Sequence, residues 1–179
     1  MILIERKIIN DIPILEIVEE DKKQETTPLV FFYHGITNQK ERGLEPGYAL
    51  ASNGMRVIIP DAYRHGERKE EAYAGEPAAE FWSVVLKNIK ELPDIVEAYV
   101  EAGLAKRETV SVTGLSMGGI TTCIALTQYP WIHSAACLMG YPITTLTESE
   151  NPAAARAFVE HVLSEEGAEV LASAGFATP

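Results

Sequence analysis

The sequence predicts an α/β fold built on a mostly parallel sheet, and three observations carry this. Short apolar runs recur at 29–33, 55–59, 109–113 and 134–139. Each is too short for a helix and reads as a strand buried on both faces. Helical patterns separate these runs, and strands alternating with helices argue for a parallel sheet covered on both sides. Ahead of them lie two β-like runs, 2–9 and 12–18, flanking Asn10 and Asp11. That pair suits a tight turn, so an antiparallel hairpin is expected at one sheet edge.

The elements follow in order. Residues 21–27 are a polar loop before the first buried strand. Residues 44–53 read as a short helix stopped by Gly54. The strand at 55–59 is closed by Pro60, and 61–75 reads as a charged loop with no core of its own. A long helix follows. Phe81, Val84, Val85, Ile89, Leu92, Val96, Tyr99 and Val100 recur at three- and four-residue steps and form one apolar face. Pro77 suits a first turn, whereas Pro93 is expected to kink or split the helix. The strand at 109–113 runs into a glycine-rich turn and a helix ending near Gln128. After Gly140 no strand candidate remains. Asn151 and Ser164 can each cap a helix, with Phe158, Val159, Val162 and Leu163 as the stripe of the first. Residues 1–140 are thus expected to form the core, and 141–179 a helical pair packed on it.

Composition bounds the function. The chain has 179 residues, 46% of them hydrophobic and 23% charged. That is enough to bury a core and argues against disorder. A net charge of −11 disfavours binding to phosphate backbones, so no nucleic-acid partner is expected. Cys123 and Cys137 cannot make a disulfide framework, and both read as free buried thiols. The only early apolar stretch carries Glu5, Arg6 and Lys7, which is not a signal peptide. No apolar run reaches the roughly 20 residues of a membrane span. A cytoplasmic location with no membrane partner is the expectation. The histidines and cysteines show no metal-ligand spacing, so no metal is expected.

The informative motif is Gly114-Leu115-Ser116-Met117-Gly118-Gly119, which follows a strand and opens a helix. A serine on such a sharp turn is held clear of the sheet, and glycines two before and two after let neighbouring backbone pass. The helix N-terminus behind it favours developing negative charge. This is the setting of a nucleophile elbow, with Ser116 as nucleophile and the Met117 amide as one oxyanion donor. A second stretch, Tyr33-His34-Gly35-Ile36-Thr37, ends the first buried strand and offers the Ile36 amide as the other donor. A third, Arg64-His65-Gly66-Glu67-Arg68, follows the next strand. Such loops at the carboxyl ends of parallel strands are where open α/β sheets place their sites. His34 and His65 are placed at the site rim, with His34 propping its loop. For Arg64, Glu67 and Arg68 a solvated ion-paired loop and a substrate-shaping rim are equally open.

With these stretches in this order, residues 1 to about 140 resemble a dienelactone-hydrolase-like bacterial esterase of the α/β-hydrolase family. The resemblance implies Ser116 as nucleophile, an oxyanion hole from Ile36 and Met117, and cofactor-free hydrolysis of small carboxylic esters. It also implies an acid and a histidine later in the chain, after two further strands. No aspartate follows Asp94, and only His133 and His161 follow Ser116. The fold expected is therefore a truncated α/β-hydrolase without its last strands. His161 is the candidate base, with His65 and another chain as the alternatives, and weak or absent activity is expected. The exposed sheet edge suggests a homodimer. Residues 141–179, from Tyr141-Pro142-Ile143 through ENPAAARAFVEHVLSEEGAEVLASAGFATP, resemble the C-terminal helices of periplasmic molybdate-binding proteins. The join near Gly140 leaves two alternatives open: an inactive chimeric or designed scaffold, and an anion-binding module.

Overall fold

The structure is a computed structural model and describes residues 1–69 and 77–140. The expected helices of 141–179 and the end of the charged loop lie outside the described residues. Within them, β1 (Ile2–Ile9), β2 (Ile12–Glu19), β3 (Leu29–Tyr33), β4 (Arg56–Pro60), β5 (Val110–Leu115) and β6 (Ser134–Leu138) form one sheet. Its order is β1-β2-β4-β3-β5-β6. The helices are α1 (Leu44–Ala51), α2 (Pro77–Glu101) and α3 (Met117–Gln128).

The hairpin forms as expected. Asn10 and Asp11 both adopt positive φ, which a type I′ hairpin turn requires. β2 pairs antiparallel with β4, while β3, β4, β5 and β6 run parallel. β3 and β4 are buried along their whole length. The two-residue side-chain period sends Phe31 and Ile58 to the α2–α3 side, and Phe32, Val57 and Ile59 to the α1 side.

Pro60 closes β4 as expected, as its last residue and paired with Ile14. Three features differ from expectation. β6 is not a buried strand: Ser134, Ala136 and Leu138 are exposed. It pairs with β5, and its outer edge has no partner strand among the described residues. Cys123 and Cys137 are free, as expected, but half-buried. Finally, α2 runs unbroken through Pro93. Proline lacks the N–H that would bond the carbonyl four residues back, at Ile89. The Tyr129 hydroxyl, at the end of α3, donates to that carbonyl at 3.0 Å.

The apolar runs also hide charge. Glu16 in β2 and Arg56 in β4 are fully buried and paired with each other. The Tyr99 hydroxyl donates to Glu16 at 2.7 Å, and Lys7 joins from β1. Arg56 also donates to the carbonyls of Lys22, Lys23 and Glu25. The cluster ties the hairpin to β4 and α2. Removing one member leaves the other charge buried and short of partners, so Arg56→Met is expected to cost ~3–5 kcal/mol. A urea midpoint within error of wild type would show the pair to be dispensable.

Candidate active site

The carboxyl ends of the parallel strands carry most of the backbone strain. Thr37 after β3, Arg64 after β4, Ser116 after β5 and Met139 after β6 all have positive φ without being glycine. Such strain persists only where surroundings impose it, and it concentrates at functional sites. Ser116 lies at φ 55° and ψ −113°, away from the left-handed helical region. Its N–H donates to the Leu138 carbonyl at 2.8 Å, which anchors the turn to β6. The two motif glycines allow the turn. A Cβ on Gly118 would lie 2.0 Å from the Tyr33 carbonyl oxygen, and one on Gly114 would lie 2.5 Å from the Gly118 carbonyl. The Thr121 and Thr122 hydroxyls donate to the carbonyls of Met117 and Gly118 and stiffen the first turn of α3.

The loop after β3 lies against this serine. A Cβ placed on Gly35 would sit 3.6 Å from the Ser116 Cβ. Ile36 follows and is exposed, whereas Met117 has its side chain in the core. As the first residue of α3, Met117 has an N–H without an intrahelical acceptor. Neither the Ile36 nor the Met117 amide donates to a backbone carbonyl among the described residues.

Two histidines tie this loop to the next. His34 is buried; its Nε2 accepts from the Ala62 N–H at 3.0 Å, so Nδ1 carries the proton and donates to the Gly35 carbonyl at 2.8 Å. His65 is arranged in the opposite sense. Its Nε2 accepts from the Thr37 N–H at 3.2 Å, and Nδ1 donates to the Tyr63 carbonyl at 2.8 Å. The rings lie 5.4 Å apart. Each thus has both nitrogens occupied by backbone. His133 sits at the opposite end of β5, where its N–H donates to Val110. His161 lies outside the described residues.

Burial pushes the His34 imidazole below its ordinary range, against the opposing pull of the Gly35 carbonyl. The unfolded chain then binds a proton that the folded chain resists. Stability is fully present above the ordinary imidazole value of about 6.5 and falls as the pH drops below it, by at most ~1.4 kcal/mol per pH unit. Denaturation at stepped pH should show a flatter profile in His34→Asn than in wild type. Parallel profiles would contradict this.

The charged loop after β4 has a core after all. Asp61 and Ala62 are buried. Asp61 accepts from the Lys40 backbone N–H and its buried ammonium, at 2.9 and 2.6 Å. Lys40 also donates to Glu67 at 2.6 Å. Burial works against the Lys40 charge, but the Asp61 and Glu67 hydrogen bonds outweigh it and hold the ammonium above its usual range. Arg68 forms a two-pronged pair with Glu91 of α2 at 2.8 and 2.7 Å. Glu67 and Arg68 therefore brace the loop. Lys40 and Asn88 were missed in the sequence, although the Asn88 side chain accepts from the Tyr63 N–H at 3.0 Å. Their partners are remote in sequence, and neither belongs to a motif. Among the described residues, no group of three potential metal ligands is assembled.

Known proteins resolve the affiliation. YitV of Bacillus subtilis (strain 168), provisionally named an esterase, is 43% identical over 142 residues, covering 79% of this chain and 56% of YitV. The esterase YjfP of Escherichia coli (strain K12) is 33% identical over 143 residues, covering 78% of this chain and 56% of YjfP. Residues 26–177 match the family model for bacterial extracellular solute-binding protein. The chain belongs to that family by this match, and its front is an esterase-like α/β-hydrolase segment. The fold is that of the α/β-hydrolases. A provisionally assigned dienelactone hydrolase from Klebsiella pneumoniae subsp. pneumoniae superposes with a TM-score of 0.64 at 20% identity, over 80% of this chain and 62% of the other. Where the two affiliations overlap, the mostly parallel sheet with flanking helices follows the α/β-hydrolase fold. The esterase relatives account for about four-fifths of the chain, and the solute-binding match extends to residue 177. The chain spans just over half the length of the esterase relatives.

Proposed function

We propose that this protein is a serine hydrolase of small carboxylic esters, with Ser116 as nucleophile. One observation carries the reading: Ser116 is held at φ 55° where β5 turns into α3, with Gly35 against its Cβ. In this reading the Ser116 hydroxyl attacks the ester carbonyl, and the resulting oxyanion is received by the Ile36 and Met117 amides. The alcohol leaves, and water releases the acid from the acyl-enzyme. The base that takes the serine proton is His161. The full bonding of His34 and His65 and the remote position of His133 support that assignment. No helix among the described residues is long and apolar enough to cross a membrane.

The test is covalent capture. A fluorophosphonate probe should label the full chain at Ser116, read by peptide mass spectrometry, and a short-chain nitrophenyl ester should be turned over. An unlabelled Ser116 together with hydrolysis at the buffer rate would end this reading. The solute-binding match leaves a binding module as the alternative reading. Molybdate titration separates the two, because tight binding that survives Ser116→Ala favours the second.

A further inference from the structure

We propose that His34 and His65 form a paired positioning device that aims the Ile36 amide. The inference deepens the hydrolase reading and rests on it. A peptide unit is planar, so its C=O and N–H point in opposite directions and cannot turn independently. The Gly35 carbonyl and the Ile36 N–H belong to one such unit. His34 Nδ1 donates to that carbonyl at 2.8 Å, and the Asn38 N–H donates to it at 3.3 Å. Holding the oxygen fixes the direction of the Ile36 N–H. The next peptide unit joins the Ile36 carbonyl to the Thr37 N–H, and His65 Nε2 holds that N–H at 3.2 Å.

The second clamp is needed because Thr37 is strained. Residues 35–38 close a turn through the Asn38 N–H to Gly35 carbonyl bond, and Thr37, at φ 64°, occupies a position that favours glycine. A β-branched residue there costs on the order of 1–2 kcal/mol. Flipping the Ile36–Thr37 peptide would relieve that strain, but it would take the N–H away from His65 and turn the Ile36 carbonyl lone pairs towards the ring. The two rings anchor on the far loop through Ala62 and Tyr63. Two consecutive peptides beside Ser116 are thus each held by one imidazole in a defined tautomer.

Side-chain amides can replace one ring nitrogen at a time. Asparagine places its polar atoms near the Nδ1 position, and glutamine places them near Nε2. At position 34, asparagine keeps the Gly35 bond and glutamine keeps the Ala62 bond. At position 65, glutamine keeps the Thr37 bond and asparagine keeps the Tyr63 bond. Each of the four variants therefore retains one bond of two. Positioning predicts a crossed pattern: kcat of His34→Gln falls roughly tenfold or more below His34→Asn, and His65→Asn falls likewise below His65→Gln. KM should stay within a few-fold in all four. A merely structural role predicts instead that kcat follows melting temperature, whichever bond is kept, and that result would overturn the device. The backbone amide signals of Ile36 and Thr37 give a readout independent of turnover. They should shift in the two low-kcat variants and stay near wild type in the other two. If wild-type chain shows no Ser116-dependent turnover, the hydrolase reading fails. The crossed amide pattern would still uphold the clamps, and signals unmoved in all four variants would overturn them.

Discussion

Ser116→Ala is expected to lower ester turnover by at least ~10³-fold while leaving the fold intact. The hydroxyl is the group that forms the covalent bond, and neighbouring amides cannot substitute for it. What survives is the contribution of binding and of the oxyanion donors. The alanine variant should melt close to wild type, because alanine inherits the same backbone conformation and the Ser116 N–H keeps its bond to Leu138. Ser116→Gly separates chemistry from strain. Glycine accepts φ 55° and ψ −113° without a Cβ clash. That variant should be equally inactive yet more stable than the alanine variant by about 1 kcal/mol. Equal turnover in wild type and Ser116→Ala would show a hydrolase fold without its chemistry. Equal stability of the alanine and glycine variants would show that the turn stores no strain.

Gly118→Ala is expected to cost at least ~3–5 kcal/mol, a large share of the roughly 5–15 kcal/mol that holds a domain together. The new methyl would meet the Tyr33 carbonyl oxygen at 2.0 Å and its carbon at 2.5 Å. Both are backbone atoms of a central strand, so no rotamer change can relieve the overlap. Either α3 lifts off β3 or the elbow reshapes, and both displace Ser116. The melting temperature should fall by roughly 10 °C or more. Gly103→Ala is the control. Gly103 has φ 71°, but a methyl there would meet nothing within 4 Å, so it bears the conformational cost alone, about 1 kcal/mol. Similar losses at the two positions would mean that close packing at the elbow is unimportant.

Local chemistry explains which parts of this fold were legible in the sequence. β3 and α3 were bounded well because Pro28, the LVFFY run, the glycine-rich turn and Gln128 are near-neighbour signals. The site-forming loops were placed for the same reason, since each directly follows a strand. The buried pair Glu16–Arg56 was not legible. Each charge sits in an apolar run and is neutralised by a partner forty residues away. Lys40 is hidden likewise, because its burial depends on Asp61 across a strand crossover. The exposure of β6 escaped because an apolar run states what a strand can bury and not what lies beside it. His161 was singled out by elimination along the chain, and its bonding lies outside the described residues.

The contact between Tyr129 and the Ile89 carbonyl has a consequence for how such a sequence can change over time. Pro93 is tolerable in α2 because the hydroxyl of Tyr129, the residue just past α3, takes up the acceptor it strands. A lineage that acquired the proline first would carry a burden until the tyrosine arrived, whereas the reverse order is nearly neutral. Once both are present, the tyrosine is hard to lose while the proline stays. The two positions are therefore contingent on one another, and the order of their substitutions is not freely reversible.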